Sequence, residues 1–131
     1  MFVDTSAIVA IILDERDAPA LADTLEAAER RSTSPAVRLE TCMVLTSRLD
    51  LSPLAAQDLF DDFLLQSEVA EFSIDERVGR LAVECFERYG KGRHPAGLNF
   101  GDCLSYACAK VHSAALLFKG EDFAQTDVAA P

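Results

Sequence analysis

Short apolar runs alternate along the chain with longer segments in which apolar residues recur three and four positions apart. The short runs predict buried strands, at residues 2–4, 31–34, 71–72 and 115–118. The longer segments predict amphipathic helices, at residues 7–13, 17–28, 36–50, 53–67, 74–89 and 100–112. Strands that alternate with helices are typical of a parallel sheet covered on both faces. We therefore expect an α/β fold, a three-layer sandwich around a small parallel sheet, formed by residues 1–131 as one domain.

Residues that start and stop helices support these boundaries. Thr5 and Ser6 can cap the first helix. Three Gly and one Pro in residues 90–97 predict a loop before the last helix. The segment after Gly120 is expected to be mostly irregular, and frayed from Thr126 onward.

Two acidic residues occupy positions at which a strand ends or a helix begins. Asp4 directly follows the first strand, at its carboxyl end, where it can also act as a helix cap. Asp102 opens the last helix. If Asn99 is the N-cap, Asp102 is the third helical residue, where the helix dipole favours an anion. Each acid therefore has both a structural and a functional interpretation.

Glu40 is less easily explained, because its helical neighbours Val37, Met43 and Val44 indicate a buried face. A buried carboxylate must be paired, protonated or bound to a cation, since a lone one costs several kcal/mol. A buried salt bridge is the structural alternative, although the nearby bases, Arg38 and Arg48, fall on other faces of the helix.

Further acids follow the last predicted strand: Glu121, Asp122 and Asp127. The carboxyl ends of parallel strands meet at one edge of a sheet, so these acids are expected near Asp4. Carboxylates without His or Cys partners suit Mg²⁺ or Mn²⁺ rather than zinc. Bound Mg²⁺ keeps waters that phosphate oxygens can replace or that can be activated for attack. The acids therefore indicate phosphate chemistry through a bound metal.

The overall charge of the chain argues against a nucleic-acid substrate. The chain has 12 Lys and Arg against 22 Asp and Glu, a net charge of −10, whereas phosphate backbones are bound mainly by Lys and Arg. Residues 77–119 nevertheless contain seven basic and three acidic side chains, a local charge of +4 that leaves −14 on the rest. One positive surface would be enough to receive a nucleic acid.

The four cysteines have no metal-binding or redox spacing and are expected to be buried apolar residues in a reduced compartment. No basic leader precedes the first strand, and no apolar run approaches the ~20 residues of a membrane span. A soluble, cytoplasmic protein is expected, with no membrane partner.

With these residues in hand, the chain resembles the PIN-domain ribonucleases, and specifically the toxins of bacterial VapBC toxin–antitoxin pairs. The resemblance covers essentially the whole chain. It rests on an ordered set of segments: FVDTSA at 2–7, RLET at 38–41, YGKGRH at 89–94 with LNFGDC at 98–103, and LLFKGEDF at 116–123.

The resemblance implies a PIN-like fold and a Mg²⁺- or Mn²⁺-dependent endoribonuclease whose acid quartet begins with Asp4, Glu40 and Asp102. Water activated by the metal would attack the phosphodiester in line and leave a 5′-phosphate and a 3′-hydroxyl. Many relatives carry the fourth acid where this chain has Gly120. We expect Asp122 to take that role, with Glu121 and Asp127 as alternatives.

The resemblance also implies supporting roles for five other residues, and each of these residues has a structural alternative. Ser6 would orient a metal-bound water or cap the first helix. Asn99 would contact substrate or cap the last helix. The loop residues Lys91, Arg93 and His94 would hold the RNA backbone or form a solvated loop.

The resemblance further implies a homodimer or a toxin–antitoxin hetero-oligomer, in which the C-terminal tail of a cognate antitoxin covers the acids. A degenerate PIN domain that binds RNA or antitoxin without cleavage is the alternative, supported by Gly120. Receiver domains and haloacid-dehalogenase-type phosphatases fit less well, because Thr5 and Ser6 stand where those classes place a second acid. The Gly90–Gly92 run lacks the spacing of a phosphate-binding P-loop.

Overall fold

The computed structural model describes residues 1–131 and contains a four-stranded parallel sheet flanked by six α-helices. The strands are β1 (Phe2–Val3), β2 (Ser32–Thr33), β3 (Ala70–Glu71) and β4 (Leu116–Leu117). The helices are α1 (Thr5–Ile12), α2 (Ala18–Glu26), α3 (Pro35–Leu49), α4 (Pro53–Gln66), α5 (Glu76–Tyr89) and α6 (Phe100–Val111). A short 3₁₀ turn, Phe123–Gln125, follows β4. The predicted α/β class, the parallel sheet and all six helices are confirmed.

The sheet order is β3-β2-β1-β4, with every neighbouring pair parallel. Phe2 and Val3 of the central β1 and Leu116 and Leu117 of β4 are buried, so these strands lie inside the hydrophobic core. Helix α3 packs against α4 and α1, and α5 packs against α6. No helix is both long and apolar enough to cross a membrane.

The first helix begins two residues earlier than the pattern predicts. Asp4, rather than Thr5 or Ser6, is the N-cap, and its carboxylate accepts the backbone N–H of Ser6 at 2.9 Å. Its extended backbone lets the side chain turn back over the first turn. The strand β1 therefore runs directly into α1 through Asp4, which places this acid at the carboxyl edge of the sheet.

The C-terminal segment is ordered, so the prediction of a frayed tail from Thr126 is wrong. The N–H of Leu116 donates to the carbonyl of Ala129 at 2.8 Å. The Asp127 carboxylate accepts the hydroxyl of the buried Tyr106 and lies 3.3 Å from the Lys110 ammonium. A buried tyrosine hydroxyl requires a partner, and this tail supplies it. Residues 126–129, called the C-terminal clasp below, thus bind both α6 and the edge strand β4.

The four cysteines are free and buried, as the sequence predicts. Burial raises the pKa of the Cys108 thiol to about 11, so this thiol stays protonated near neutral pH. These residues therefore act as small apolar side chains of the core.

The partners of Asp127 in the C-terminal segment favour its ionised form. The Tyr106 hydroxyl, with help from Lys110 and Arg88, lowers the pKa of Asp127 below its usual value. Its stabilising effect is therefore fully present above the unfolded pKa of about 3.9 and is lost as the pH falls through the lower folded value. Asp127→Asn keeps an oxygen that can accept the Tyr106 hydroxyl but removes the negative charge, so it should destabilise the protein by up to roughly 1 kcal/mol at pH 7, the scale of exposed ion pairs.

Thermal unfolding of wild type and Asp127→Asn between pH 2 and 8 measures this effect. The difference in melting temperature should be constant above about pH 5 and should shrink below about pH 4. A difference that stays constant down to pH 2 would contradict the assigned ion pairing.

Candidate active site

Asp4 is buried at the carboxyl end of β1, with 4% of its surface exposed, and it is held by neutral donors. Its Oδ2 accepts the N–H of Ser6 at 2.9 Å and the hydroxyl of Ser6 at 2.7 Å. Its Oδ1 accepts the hydroxyl of Ser105 at 2.7 Å. Ser105 lies on α6 and was not identified from the sequence, because only the folded chain brings it to Asp4. The carboxylate is therefore fixed in place without a cationic partner.

Glu40, on α3, is half-buried and accepts the hydroxyl of Thr5 at 2.7 Å. Burial raises the pKa of Glu40, and the negative charge of Asp4 adds to the shift while the Thr5 hydroxyl opposes it. The face that the sequence indicates as buried is so only in part: Val37 is buried, whereas Met43 is 65% exposed. Glu40 stands at the boundary between the core and an open groove.

A buried salt bridge does not account for Glu40. Arg38 pairs instead with Asp61 and Glu71, each at 2.6 Å, and Arg48 pairs with Glu15 at 3.3 Å. The structural alternative from the sequence is therefore wrong, and the Glu40 carboxylate has no cation beside it.

Gly101 explains how Glu40 reaches the start of α6. A Cβ at this position would lie 2.7 Å from Oε2 of Glu40, closer than packed atoms approach, and 3.0 Å from Oε1, so the carboxylate would have to move. The missing side chain lets the Glu40 carboxylate lie against the first turn of α6, at the positive end of the helix dipole. Sequence reasoning missed this role, although a Gly within a helix has a stability cost that calls for a reason.

Asp102 occupies the third position of α6 in a reciprocal capping box with Asn99. The Asn99 N–H donates to Asp102 Oδ2 at 2.9 Å, and the Asp102 N–H donates to Asn99 Oδ1 at 3.0 Å. Asn99 is therefore the cap that the sequence predicts. Burial raises the pKa of Asp102 to about 6, opposed by the Asn99 hydrogen bond and reinforced by the charges of three acids: Asp4, Glu40 and Asp122.

The charges that act on Asp102 distinguish two of the candidates for the fourth acid, Asp122 and Asp127. Asp122 lies close enough for its charge to raise the pKa of Asp102. Asp127 instead engages Tyr106 and Lys110 in the C-terminal clasp. Gly120 has φ +106°, a conformation that side-chain-bearing residues rarely adopt, so an acid at that position would strain the backbone. The assignment of the fourth acid to Asp122 stays a prediction, supported by the effect of its charge on Asp102.

The donor set of this site consists of carboxylate and hydroxyl oxygens, which suit a hard divalent cation. None of the four carboxylates forms a salt bridge: Asp4, Glu40, Asp102, Asp122. No three acidic, His or Cys side chains are arranged around one point as a formed metal site. Three of the carboxylates are turned toward separate donors, Thr5, Ser105 and Asn99. In chemistry and charge the residues fit Mg²⁺ or Mn²⁺.

The loop bases are mostly engaged within the protein. Arg93 pairs with Glu87 at 2.8 Å, and His94 Nδ1 accepts the N–H of Ala96 at 3.1 Å. Only Lys91 of the three loop candidates is exposed without a salt bridge. Five of the seven basic residues in the positive stretch form salt bridges: Arg80, Arg88, Arg93, Lys110, Lys119. The expected positive surface is therefore largely neutralised.

Two apolar grooves flank Phe100 at the start of α6. One, of about 620 Å³, is lined by Leu39, Met43 and Glu40, and the other, of about 600 Å³, by Val83 and Lys91 among others. Phe100 is 83% exposed. Apolar surface of this kind on a folded chain is typical of sites that bind a protein, a membrane or a ligand. Sequence reasoning missed the grooves, since they join three helices that are distant along the chain.

Comparison with known proteins identifies the family of this chain. Residues 1–129 match the model of the PIN domain. "Ribonuclease VapC" of Mycolicibacterium smegmatis is 47% identical over 130 residues, covering 99% of this chain and 98% of the relative. "Ribonuclease VapC28" of Mycobacterium tuberculosis is 47% identical over 129 residues, covering 98% and 95%.

Solved structures agree in fold. The crystal structure of VapC20 from Mycobacterium tuberculosis, described as a sarcin–ricin loop cleaving toxin, superposes with a TM-score of 0.76 at 18% identity, covering 99% of this chain and 97% of that one. A toxin–antitoxin complex from Klebsiella pneumoniae gives 0.71 at 17% identity, covering 99% and 95%. The family match and the full-length relatives show that this chain belongs to the PIN domain family and, within it, to the VapC ribonucleases.

Proposed function

We propose that the protein is a Mg²⁺- or Mn²⁺-dependent endoribonuclease and the toxin of a type II toxin–antitoxin pair. The observation that carries the proposal is the gathering of acids without a cationic partner at the carboxyl edge of the sheet. Asp4, Glu40 and Asp102 come from three separate elements, and their charges act on one another. The full-length likeness to ribonucleases named VapC supports RNA as the substrate.

In this mechanism Asp4 and Asp102, completed by Glu40, would hold the metal. When bound, the ion supplies positive charge that activates a water and neutralises the scissile phosphate. Ser6 and Ser105 keep the Asp4 carboxylate oriented, and Thr5 does the same for Glu40.

Asp122 adds the fourth negative charge near Asp102 from the loop after β4. Lys91, exposed at the rim of one groove, is the free base best placed to contact the RNA backbone. Since the catalytic set is acidic and most bases are paired, we assign the attraction of RNA mainly to the bound metal. The cytoplasm, which holds RNA and keeps thiols reduced, is the proposed location.

The partner is proposed to be a cognate VapB-like antitoxin whose C-terminal segment lies in the grooves beside Phe100. One of these grooves offers apolar surface next to Glu40, so an apolar segment bearing a basic residue would match both features. The solved toxin–antitoxin complex of the same fold supports such a partner. A homodimer or a toxin–antitoxin hetero-oligomer is proposed as the assembly.

Incubation of the purified protein with structured RNA and Mg²⁺ or Mn²⁺ tests the activity. Cleavage should require the metal, stop with EDTA, and fall at least ~10³-fold in Asp4→Asn, since a metal ligand is removed. Expression should arrest growth for wild type and not for Asp102→Asn. Binding of RNA without cleavage would favour the degenerate PIN domain.

In the same assay, Asp122→Asn should lower activity more than Glu121→Gln or Asp127→Asn. Equal behaviour of the three variants would refute the role assigned to Asp122.

Gly101→Ala tests the placement of Glu40. The new methyl group should push the Glu40 carboxylate away from α6 and lower cleavage about 10- to 100-fold, the scale of a displacement near 1 Å. Stability should stay level or rise by up to ~1 kcal/mol, because Ala favours a helix over Gly. Gly79→Ala on α5 is the matched control, since a Cβ there meets nothing within 4 Å.

Parallel measurement of cleavage rate and melting temperature separates the two effects. Full activity in Gly101→Ala would show that the position of Glu40 against α6 is unimportant.

Phe100→Ser tests the partner surface. Removal of a large, central apolar side chain should weaken antitoxin binding at least ~30-fold, as at binding hot spots, while leaving RNA cleavage measurable. Leu54→Ser, on α4 and 74% exposed outside both grooves, is the control. Titration with the purified antitoxin gives both affinities, and equal affinities would place the antitoxin elsewhere.

A further inference from the structure

Ser105 makes a contact that neither the helix nor the core requires. It lies on α6, three residues after Asp102, and is 1% exposed. A buried helical serine can satisfy its hydroxyl with the carbonyl four residues earlier on its own helix. The Ser105 hydroxyl instead donates to Asp4 Oδ1 at 2.7 Å, across 101 residues of sequence. One buried hydrogen bond therefore joins the helix that carries Asp102 to the carboxylate that ends β1.

The hydrogen bonds to Asp4 use most of its acceptor sites. Each carboxylate oxygen offers about two acceptor sites. Oδ2 is filled by the N–H and the hydroxyl of Ser6, and the Ser6 hydroxyl in turn accepts the N–H of Lys119 at 3.0 Å. Oδ1 receives only Ser105. A single acceptor site remains on Asp4, and Ser105 determines which direction it faces.

We infer that Ser105 is a positioning residue that fixes the direction of Asp4 Oδ1, the oxygen that Ser6 leaves free for a metal, and thereby favours Mg²⁺-sized ions over Ca²⁺. This inference rests on the proposed function, because it assumes that Asp4 holds the metal. Ser105 and Asp102 stand three residues apart on α6, so they share one face of that helix. The hydrogen bond therefore fixes Asp4 relative to the other principal carboxylate of the site.

The preference for an ion follows from the number of oxygens available. Mg²⁺ requires near-octahedral geometry with oxygens at ~2.0–2.1 Å, whereas Ca²⁺ accepts longer bonds and carboxylates that bind through both oxygens. Both acceptor sites of Oδ2 are used by Ser6, and one site of Oδ1 is used by Ser105. Asp4 can therefore offer a metal one oxygen in a fixed direction, as the geometry of Mg²⁺ requires, but not both oxygens at once. Loss of the Ser105 hydroxyl leaves Asp4 held only at Oδ2, so Oδ1 loses the fixed direction that Mg²⁺ needs more than Ca²⁺ does.

Metal titration of the full-length protein, in the absence of RNA, tests the inference. Calorimetry with MgCl₂ and with CaCl₂ should show that Ser105→Ala weakens Mg²⁺ binding about tenfold or more, the usual cost of losing a group that orients a ligand. The affinity for Ca²⁺ should change less than threefold, so the Mg²⁺/Ca²⁺ affinity ratio falls. Ser105→Thr, which keeps the hydroxyl, should restore the ratio.

Two further variants separate positioning from packing. Cys108→Ala removes one buried atom one turn further along α6 and should leave the ratio unchanged. Ser105→Cys nearly preserves the volume but has a weak donor, so it should reproduce the loss even if Ser105→Ala fails to fold. Melting temperatures measured in EDTA show whether each variant is folded.

The outcomes distinguish this inference from the proposed function. A wild-type protein that binds neither ion, or an Asp4→Asn variant that binds Mg²⁺ as well as wild type, would overturn both. Binding that depends on Asp4 but has the same Mg²⁺/Ca²⁺ ratio in wild type, Ser105→Ala and Ser105→Cys would overturn only the role of Ser105.

Discussion

Repulsion between carboxylates at one edge of the sheet is the constraint that shapes the rest of this structure. The charge of Asp4 raises the pKa of Glu40, and both charges raise the pKa of Asp102. None of the three forms a salt bridge with a Lys or Arg. Partial positive charge comes instead from hydroxyl groups and from the first turn of α6. A Lys or Arg here would stabilise the apo protein, but it would also compete with a divalent cation for the same oxygens. The fold thus accepts a local electrostatic cost that a bound ion can relieve.

Helix α6 organises this edge within its first turn and a half. Asn99 fixes where the helix starts, Gly101 leaves room for Glu40, Asp102 faces the site, and Ser105 holds Asp4. The remainder of the helix is buried among α5 and the central strands, so its position is set by the core. The same hydrophobic packing that stabilises the domain therefore sets the spacing of the carboxylates.

Features governed by local sequence could be predicted, and those that depend on long-range contacts could not. The parallel sheet and the Asn99–Asp102 capping box follow from short-range periodicity and cap chemistry. The Ser105–Asp4 bond joins residues that are remote in sequence, and no local pattern distinguishes Ser105 from an ordinary helical serine. The tail was misjudged for the same reason, because Tyr106 and Ala129 meet only in the folded chain. Summed charge along residues 77–119 likewise did not reveal that most of its bases are paired.

The exposed Phe100 and the grooves beside it have a consequence for the chain when it is alone. An 83% exposed aromatic ring next to Leu39 and Met43 is a surface on which copies of the protein would adhere to each other. A net charge of −10 opposes such contact through long-range repulsion between like molecules. The acidic bulk of the sequence thus opposes self-association through this exposed apolar surface. That protection weakens as ionic strength rises, so the free protein is least soluble in concentrated salt.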